Sequence, residues 1–268
     1  MNRLQTAFDQ LRAAGRKALL PYITGGYPNV DATAAILARL DPQTCVCAEV
    51  GIPFSDPIAD GPVIQASFSA ALDAHFKLDD LFAAVRQHRA AISVPLLAMV
   101  SYSVVYRRGP DAFVSAARTA GFDGLIVPDL AFEEAETLAA CCHAQDCPLA
   151  MMIAPTTEPV RRKQIAALSE PFIYYQSLAG VTGERASLPA DLRTHVAELR
   201  ADTAKPVCVG FGISTPEHVR SVCSVADGAI IGSAIVRRLT ESVTNGDAQT
   251  AIADAVLDKI THLATGLL

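Results

Sequence analysis

Clustered positive charge is missing from this chain of 268 residues: 22 lysines and arginines stand against 28 aspartates and glutamates, for a formal charge of −6, and no Lys/Arg-rich run occurs. A nucleic-acid binder needs a concentrated basic surface to neutralise phosphates, so that class is excluded and any basic spot is local. Long apolar runs are also missing. No stretch is long enough to span a bilayer, and the opening MNRLQTAFDQLRAAGRK is amphipathic without the apolar core of a signal peptide. The expected compartment is therefore the cytoplasm. The 7 cysteines, Cys45, Cys47, Cys141, Cys142, Cys147, Cys208 and Cys223, show no paired C-x-x-C spacing, which argues against a zinc site. Inside apolar segments they read as reduced core or helix residues. No linker or shift in composition divides the chain, and an apolar fraction of 51% suits a packed globular protein. One domain over residues 1–268 is expected.

What is present is alternation. Apolar, strand-like runs fall at Ala18–Thr24, Val46–Gly51, Pro95–Ser101, Gly124–Val127, Leu149–Ile153, Ile173–Ser177, Pro206–Val209 and Gly228–Ile231. Amphipathic stretches at helical spacing separate them, at Asp31–Leu40, Leu78–Arg89, Asp111–Ala120, Glu133–Gln145, Val160–Leu168, Ala190–Arg200, Pro216–Cys223 and Asp247–Ala264. Strand then helix, repeated through the chain, predicts a (β/α)₈ TIM barrel. Near-continuous apolar strands fit, because barrel strands are covered on both faces. An open doubly wound sheet is the competing architecture. An extra N-terminal helix puts Leu4, Phe8 and Leu11 on one face and ends at Gly15, and short extra helices follow strands two and eight, at Pro62–Ala74 and Ala234–Leu239.

Active sites of this fold lie where strands end and helices begin. Sorting residues by face leaves the histidines (His75, His88, His143, His195, His218, His262) on helices or their approaches, against a histidine metal site or a Ser-His triad. No lysine is placed to form a Schiff base inside the barrel. Carboxylates and tyrosines remain. Glu49 ends a buried strand, where desolvation disfavours its charge and raises its pKa toward a range useful for proton transfer. A structural ion pair is the alternative, but Ala48, Val50, Gly51 and Ile52 offer no cation. Asp56 and Asp60 sit in the following loop, where Ser-Asp-Pro and Ala-Asp-Gly are also ordinary turn formers. Tyr22, Tyr102 and Tyr174, near the ends of strands one, three and six, could wall an aromatic pocket or could be structural tyrosines with hydroxyls at the rim. Glycines recur in the last three loops, AGVTG (179–183), GFGIS (210–214) and GSAIV (232–236). Each alone reads as a turn or cap; together, in the loops where barrels bind phosphate, they read as an anion site, with Ser233 as a further donor.

These residues also carry a family resemblance. VGIPFSDPIADGPVIQ (50–65), PYITGGYP (21–28), GFDGLIVPDL (121–130), GVTG (180–183), GFGIS and GSAIV together closely resemble the tryptophan synthase alpha chain. Members are (β/α)₈ barrels that cleave indole-3-glycerol phosphate to indole and glyceraldehyde 3-phosphate. They pass indole to a beta chain that carries pyridoxal phosphate, in an alpha2beta2 assembly; the alpha chain needs no cofactor of its own. The resemblance implies Glu49 and Asp60 as the catalytic pair and Gly183, Gly212, Gly232 and Ser233 as the phosphate site. It implies Tyr22, Ile64, Ile126, Tyr174 and Phe211 around the indole, with Thr182 in the GVTG loop and Tyr102 also expected to bind substrate. The 181–189 loop reads as a lid, and Pro53, Asp56 and Pro57 as loop supports facing the partner. Two departures stand out. SYSVVYRRG (101–109) has Ser103 where the family carries Asn, and Ala131 replaces a proline after Asp129 and Leu130. The first touches the expected partner contacts. A stand-alone lyase, a non-catalytic regulatory subunit and a different phosphate-binding isomerase are the other readings.

Overall fold

In the computed structural model the described residues are 2–58, 60–176, 191–210 and 212–267. Their strands are β1 (Ala18–Thr24), β2 (Ala48–Gly51), β3 (Leu96–Met99), β4 (Gly124–Ile126), β5 (Leu149–Ala150), β6 (Met152–Ile153), β7 (Ile173–Gln176), β8 (Val207–Gly210) and β9 (Gly228–Ile231). Their order in the sheet is β5-β4-β3-β2-β1-β9-β8-β7-β6, with parallel pairing throughout. Since β5 and β6 are successive pieces of one run, the two ends of that order meet and the sheet closes. This is the expected barrel, and the open sheet is ruled out.

The fifth strand was expected whole, from Leu149 to Ile153, and is instead interrupted at Met151. The Met151 N–H donates to the Ser169 hydroxyl (2.8 Å) instead of a neighbouring strand, and that hydroxyl in turn donates to the Phe172 carbonyl (2.6 Å). A side chain has replaced one rung of the ladder, which periodicity along the strand does not reveal.

Side chains alternate across each strand. Outward residues such as Ala48, Val50, Ala98 and Val209 join a large buried layer with the surrounding helices. Inward residues Leu20, Cys47, Leu97, Ile126, Tyr174, Cys208 and Ile230 form a second cluster that fills the barrel. The helix α1 (Arg3–Ala13) adds Leu4, Phe8 and Leu11 to this inner cluster, and Phe8 stacks on Phe172 with ring centroids 4.8 Å apart. Asn2 caps α1 by accepting from the Leu4 N–H, while its amide donates to the Asp123 and Asp146 carbonyls. That end of the barrel is packed shut, so the chemistry belongs at the other end.

The outer helices are α2 (Val30–Leu37), α3 (Pro62–Asp73), α4 (Leu78–His88), α5 (Tyr102–Arg108), α6 (Pro110–Ala120), α7 (Phe132–Ala144), α8 (Pro159–Leu168), α9 (Leu192–Asp202), α10 (Pro216–Cys223), α11 (Ser233–Thr244) and α12 (Gln249–Ala264). Three of them differ from expectation by more than two residues; α2 stops at Leu37, short of the expected Leu40. The last extra helix, α11, runs on past Leu239 to Thr244. After β3, where no helix was expected, the 101–109 segment forms α5. Adjacent β-branched Val104 and Val105 hide this helix in the sequence, and one of its caps comes from a distant residue, Asp129. The expected end of strand six at Ser177, the 181–189 loop and the first residue of the following helix, Ala190, lie outside the described residues.

Candidate active site

Alternation along β2 turns Glu49 inward, on the same face as Cys47. Its relative exposure is 0%, and neither carboxylate oxygen has a hydrogen-bond partner among the described residues. A buried, unpaired carboxylate is costly in its charged form, so burial raises the Glu49 pKa well above the usual carboxylate range. In its protonated form Glu49 is an acid held within β2, with no group among the described residues bonded to it to receive its proton.

Tyr22 lies beside it, paired in register across β1 and β2. Its ring fits because the neighbouring strand carries Gly51: a Cβ there would fall 1.8 Å from the Tyr22 hydroxyl oxygen. Tyr174 on β7 repeats the arrangement over Gly210, where a Cβ would fall 2.5 Å from its hydroxyl. Both tyrosines are buried, and burial raises both phenol pKa values, with the charges of Glu49 and Asp60 adding to the effect. Sequence reasoning placed these four residues on one face; in the barrel they influence one another electrostatically.

Above them opens a narrow cleft of about 40 Å³ whose walls include Tyr22, Phe54, Asp60, Phe68, Met99 and Asp129. The loop carrying Asp60 is tied to α3 by the Gln65 side chain, whose amide donates to the Asp60 carbonyl (2.8 Å). Burial, and secondly the negative charge of Asp129, push the Asp60 pKa up to about 6. Asp60 is therefore mostly ionised at neutral pH, while burial favours the protonated form of Glu49. Two carboxyl groups with separated protonation states suit an acid and a charge stabiliser.

On the far side, Gly232 caps α11 at the end of β9, and Ser233 is the first helical residue. The first N–H groups of a helix have no partner within it and suit an anion. A Cβ at Gly232 would fall 3.7 Å from Tyr22 and 3.8 Å from Ile64, so this anion end adjoins the aromatic floor. Ile64, Phe68, Tyr22 and Val236 form one buried cluster there. Gly212 adopts φ +77°, a left-handed conformation natural to glycine. Ile126 is buried lower, in the inner cluster with Tyr174.

Not every expected residue gathers at this cleft. Tyr102 begins α5 and its hydroxyl donates to Glu134 (3.1 Å), away from the lining. Thr182, Gly183 and Phe211 lie outside the described residues. Asp56 is exposed at the rim, its Oδ2 accepting from the Ser55 hydroxyl (2.7 Å). Phe54, Phe68, Met99 and Asp129 are cleft residues that sequence reasoning did not single out. Asp129 alone gave a signal, a carboxylate directly after strand four in the PDL motif.

Comparison with known proteins settles the kinship. The family model for the tryptophan synthase alpha chain matches residues 8–264. The chain belongs to the tryptophan synthase alpha chain family. The alpha chain of Rhodopirellula baltica is 46% identical over 259 residues, covering 96% of this chain and 92% of the relative. That of Chloroflexus aurantiacus is 44% identical over 240 residues, covering 89% and 90%. Among solved structures, tryptophan synthase subunit alpha from Legionella pneumophila superposes with a TM-score of 0.88 at 31% identity, covering 99% of this chain and 98% of that one. A chain of Mycobacterium tuberculosis tryptophan synthase in its aminoacrylate-bound form gives 0.84 at 30% identity, with full coverage of both. Family members are lyases of tryptophan biosynthesis. Among the described residues no group of three or more His, Cys, Asp or Glu could hold a metal ion, and no helix is long and apolar enough to cross a membrane.

Proposed function

We propose that this chain cleaves indole-3-glycerol phosphate to indole and glyceraldehyde 3-phosphate by a retro-aldol reaction. The observation that carries the reading is Glu49, a buried carboxyl group without a hydrogen-bond partner among the described residues, on β2 beside Tyr22 and near a cleft walled by Asp60. In the cleavage, the bond between indole C3 and the glycerol carbon breaks. The hydroxyl on that carbon loses its proton as the aldehyde forms, and C3 gains one as the ring accepts the electron pair.

Protonated Glu49 delivers the proton to C3, and its carboxylate then receives the one released from the hydroxyl. Ionised Asp60 accepts the hydrogen bond of the indole N–H and stabilises the positive charge that builds on the ring as C3 is protonated. Phe68, Ile64 and Tyr22 supply the apolar floor for the ring. Gly212, Gly232 and the start of α11 at Ser233 take the phosphate; the family resemblance adds Gly183 to that site, and Thr182 and Phe211 to substrate binding. Held away from the bond being broken, the phosphate contributes binding energy that keeps the substrate in reactive geometry. The chemistry is proton transfer between carboxyl groups and substrate and calls for no cofactor in this chain. Pyridoxal phosphate belongs to the beta chain, to which indole passes in an alpha2beta2 assembly in the cytoplasm.

Incubating the purified chain with indole-3-glycerol phosphate, alone and with a matching beta chain, tests the reading. Indole release, stimulated by the beta chain, is expected; absence of indole in both would overturn it.

A further inference from the structure

Asp129 lies just past β4 and makes two contacts with the junction between β3 and α5. Its Oδ2 accepts from the Ser101 hydroxyl (2.6 Å) and its Oδ1 from the Tyr102 backbone N–H (2.7 Å). Tyr102 is the first residue of α5, so a side chain 27 positions away satisfies one of the N–H groups left open at that helix end. The same side chain lines the cleft together with Asp60 and Asp56.

The cap alone does not call for a carboxylate. An asparagine would accept from Tyr102 through its oxygen and donate to the Ser101 oxygen through its amide, satisfying both groups without charge. A negative charge here is favoured by the start of α5, yet it also lines the cleft with Asp60 and Asp56, whose charges oppose it. Its electrostatic consequence falls on Asp60.

We propose that Asp129 is a positioning residue that joins the start of α5 to the Asp60 side of the cleft, so that the seat of α5 sets the electrostatic surroundings of Asp60. This rests on the lyase reading for its meaning in catalysis. The groups around the pair are Asp56 at the rim, Tyr22 on β1, Tyr174 and Glu49 below, and Tyr102, whose hydroxyl is held by Glu134 on α7. Of these charges, that of Asp129 is the one that adds to burial in raising Asp60.

The test uses Asp129→Asn, which keeps the cap and removes the charge, and Asp129→Ala, which removes both. The Asp60 carboxyl carbon is titrated by NMR in the intact chain without substrate. The wild-type midpoint is expected at about 6 and the Asp129→Asn midpoint at lower pH. Amide exchange at Tyr102 is expected to speed up in Asp129→Ala and to stay slow in Asp129→Asn. In turnover, the acid limb of kcat/KM moves to lower pH in Asp129→Asn. An unmoved Asp60 midpoint in Asp129→Asn overturns the proposal, as does equal Tyr102 exchange in wild type and Asp129→Ala. Should Asp129→Ala fail to fold, the Asp129→Asn titration still decides. Because the titration needs no turnover, a wild-type chain that releases no indole would remove the lyase reading while leaving this coupling to its own data.

Discussion

Gly51→Ala places a methyl group where the Tyr22 ring end now lies. Its Cβ would be 1.8 Å from the hydroxyl oxygen, 2.3 Å from the carbon bearing it and 2.6 Å from a ring carbon, against ordinary contact at 3.4–4 Å. The ring must therefore retreat by roughly 1.5–2 Å, a distance that well-packed cores do not absorb freely. Tyr22 is buried, with Glu49 beside it and Gly232 near its Cβ, so the ring can give way only toward the cleft that it lines. Overpacking of this kind costs about 1–3 kcal/mol. The displaced ring also intrudes on the cleft, so KM for indole-3-glycerol phosphate rises. Tyr22→Leu removes the ring end, and in that background Gly51→Ala is expected to cost well under half as much, because the two positions are in contact and do not add. Urea midpoints of the four chains, with kinetics on those that fold, measure both effects. Equal cost of Gly51→Ala in the two backgrounds would refute the packing reasoning.

Lowering the pH through about 6 should protonate Asp60 and remove its hydrogen bond to the indole N–H, so kcat/KM falls on the acid side in that range; an acid limb confined well below that range, at the pH where ordinary carboxylates titrate, would contradict this in the wild type. Glu49 has a raised folded-state pKa, so the native state holds a proton that the unfolded chain releases. Its contribution to stability is fully present below the ordinary carboxylate pKa and is lost as pH rises toward the folded value. Glu49→Gln should therefore gain stability relative to wild type as pH rises above the ordinary carboxylate range in urea denaturation. Phe8→Ala, which empties the stack on Phe172 at the closed end of the barrel, should cost about 3–5 kcal/mol. At temperatures where the variant stays folded, its kcat should change little.

The barrel was legible because alternation of apolar and amphipathic runs is a local property of the chain. Glu49 was legible because a carboxylate ending an apolar strand, with no cation beside it in the sequence, points to proton transfer more than to an ion pair. Met151 and α5 were not, for one shared reason: each depends on a hydrogen bond from a residue distant in sequence, Ser169 in one case and Asp129 in the other. Tyr102 looked equivalent to Tyr22 and Tyr174 as a strand-end tyrosine, yet beginning a helix turned its hydroxyl toward Glu134. The shape of the aromatic floor depends on what a tyrosine meets on the next strand. Gly51 and Gly210 read as ordinary turn or strand glycines until the sheet registers them against Tyr22 and Tyr174.

Indole release by wild type and Glu49→Gln, measured side by side with the beta chain present, reaches the central claim most directly. Glutamine keeps the size of the side chain and cannot exchange the proton. The wild-type chain is expected to release indole from indole-3-glycerol phosphate. The variant should release essentially none while still binding the substrate through its phosphate. Cleavage by Glu49→Gln at the wild-type rate would contradict the assignment of Glu49 as the acid and base of the reaction.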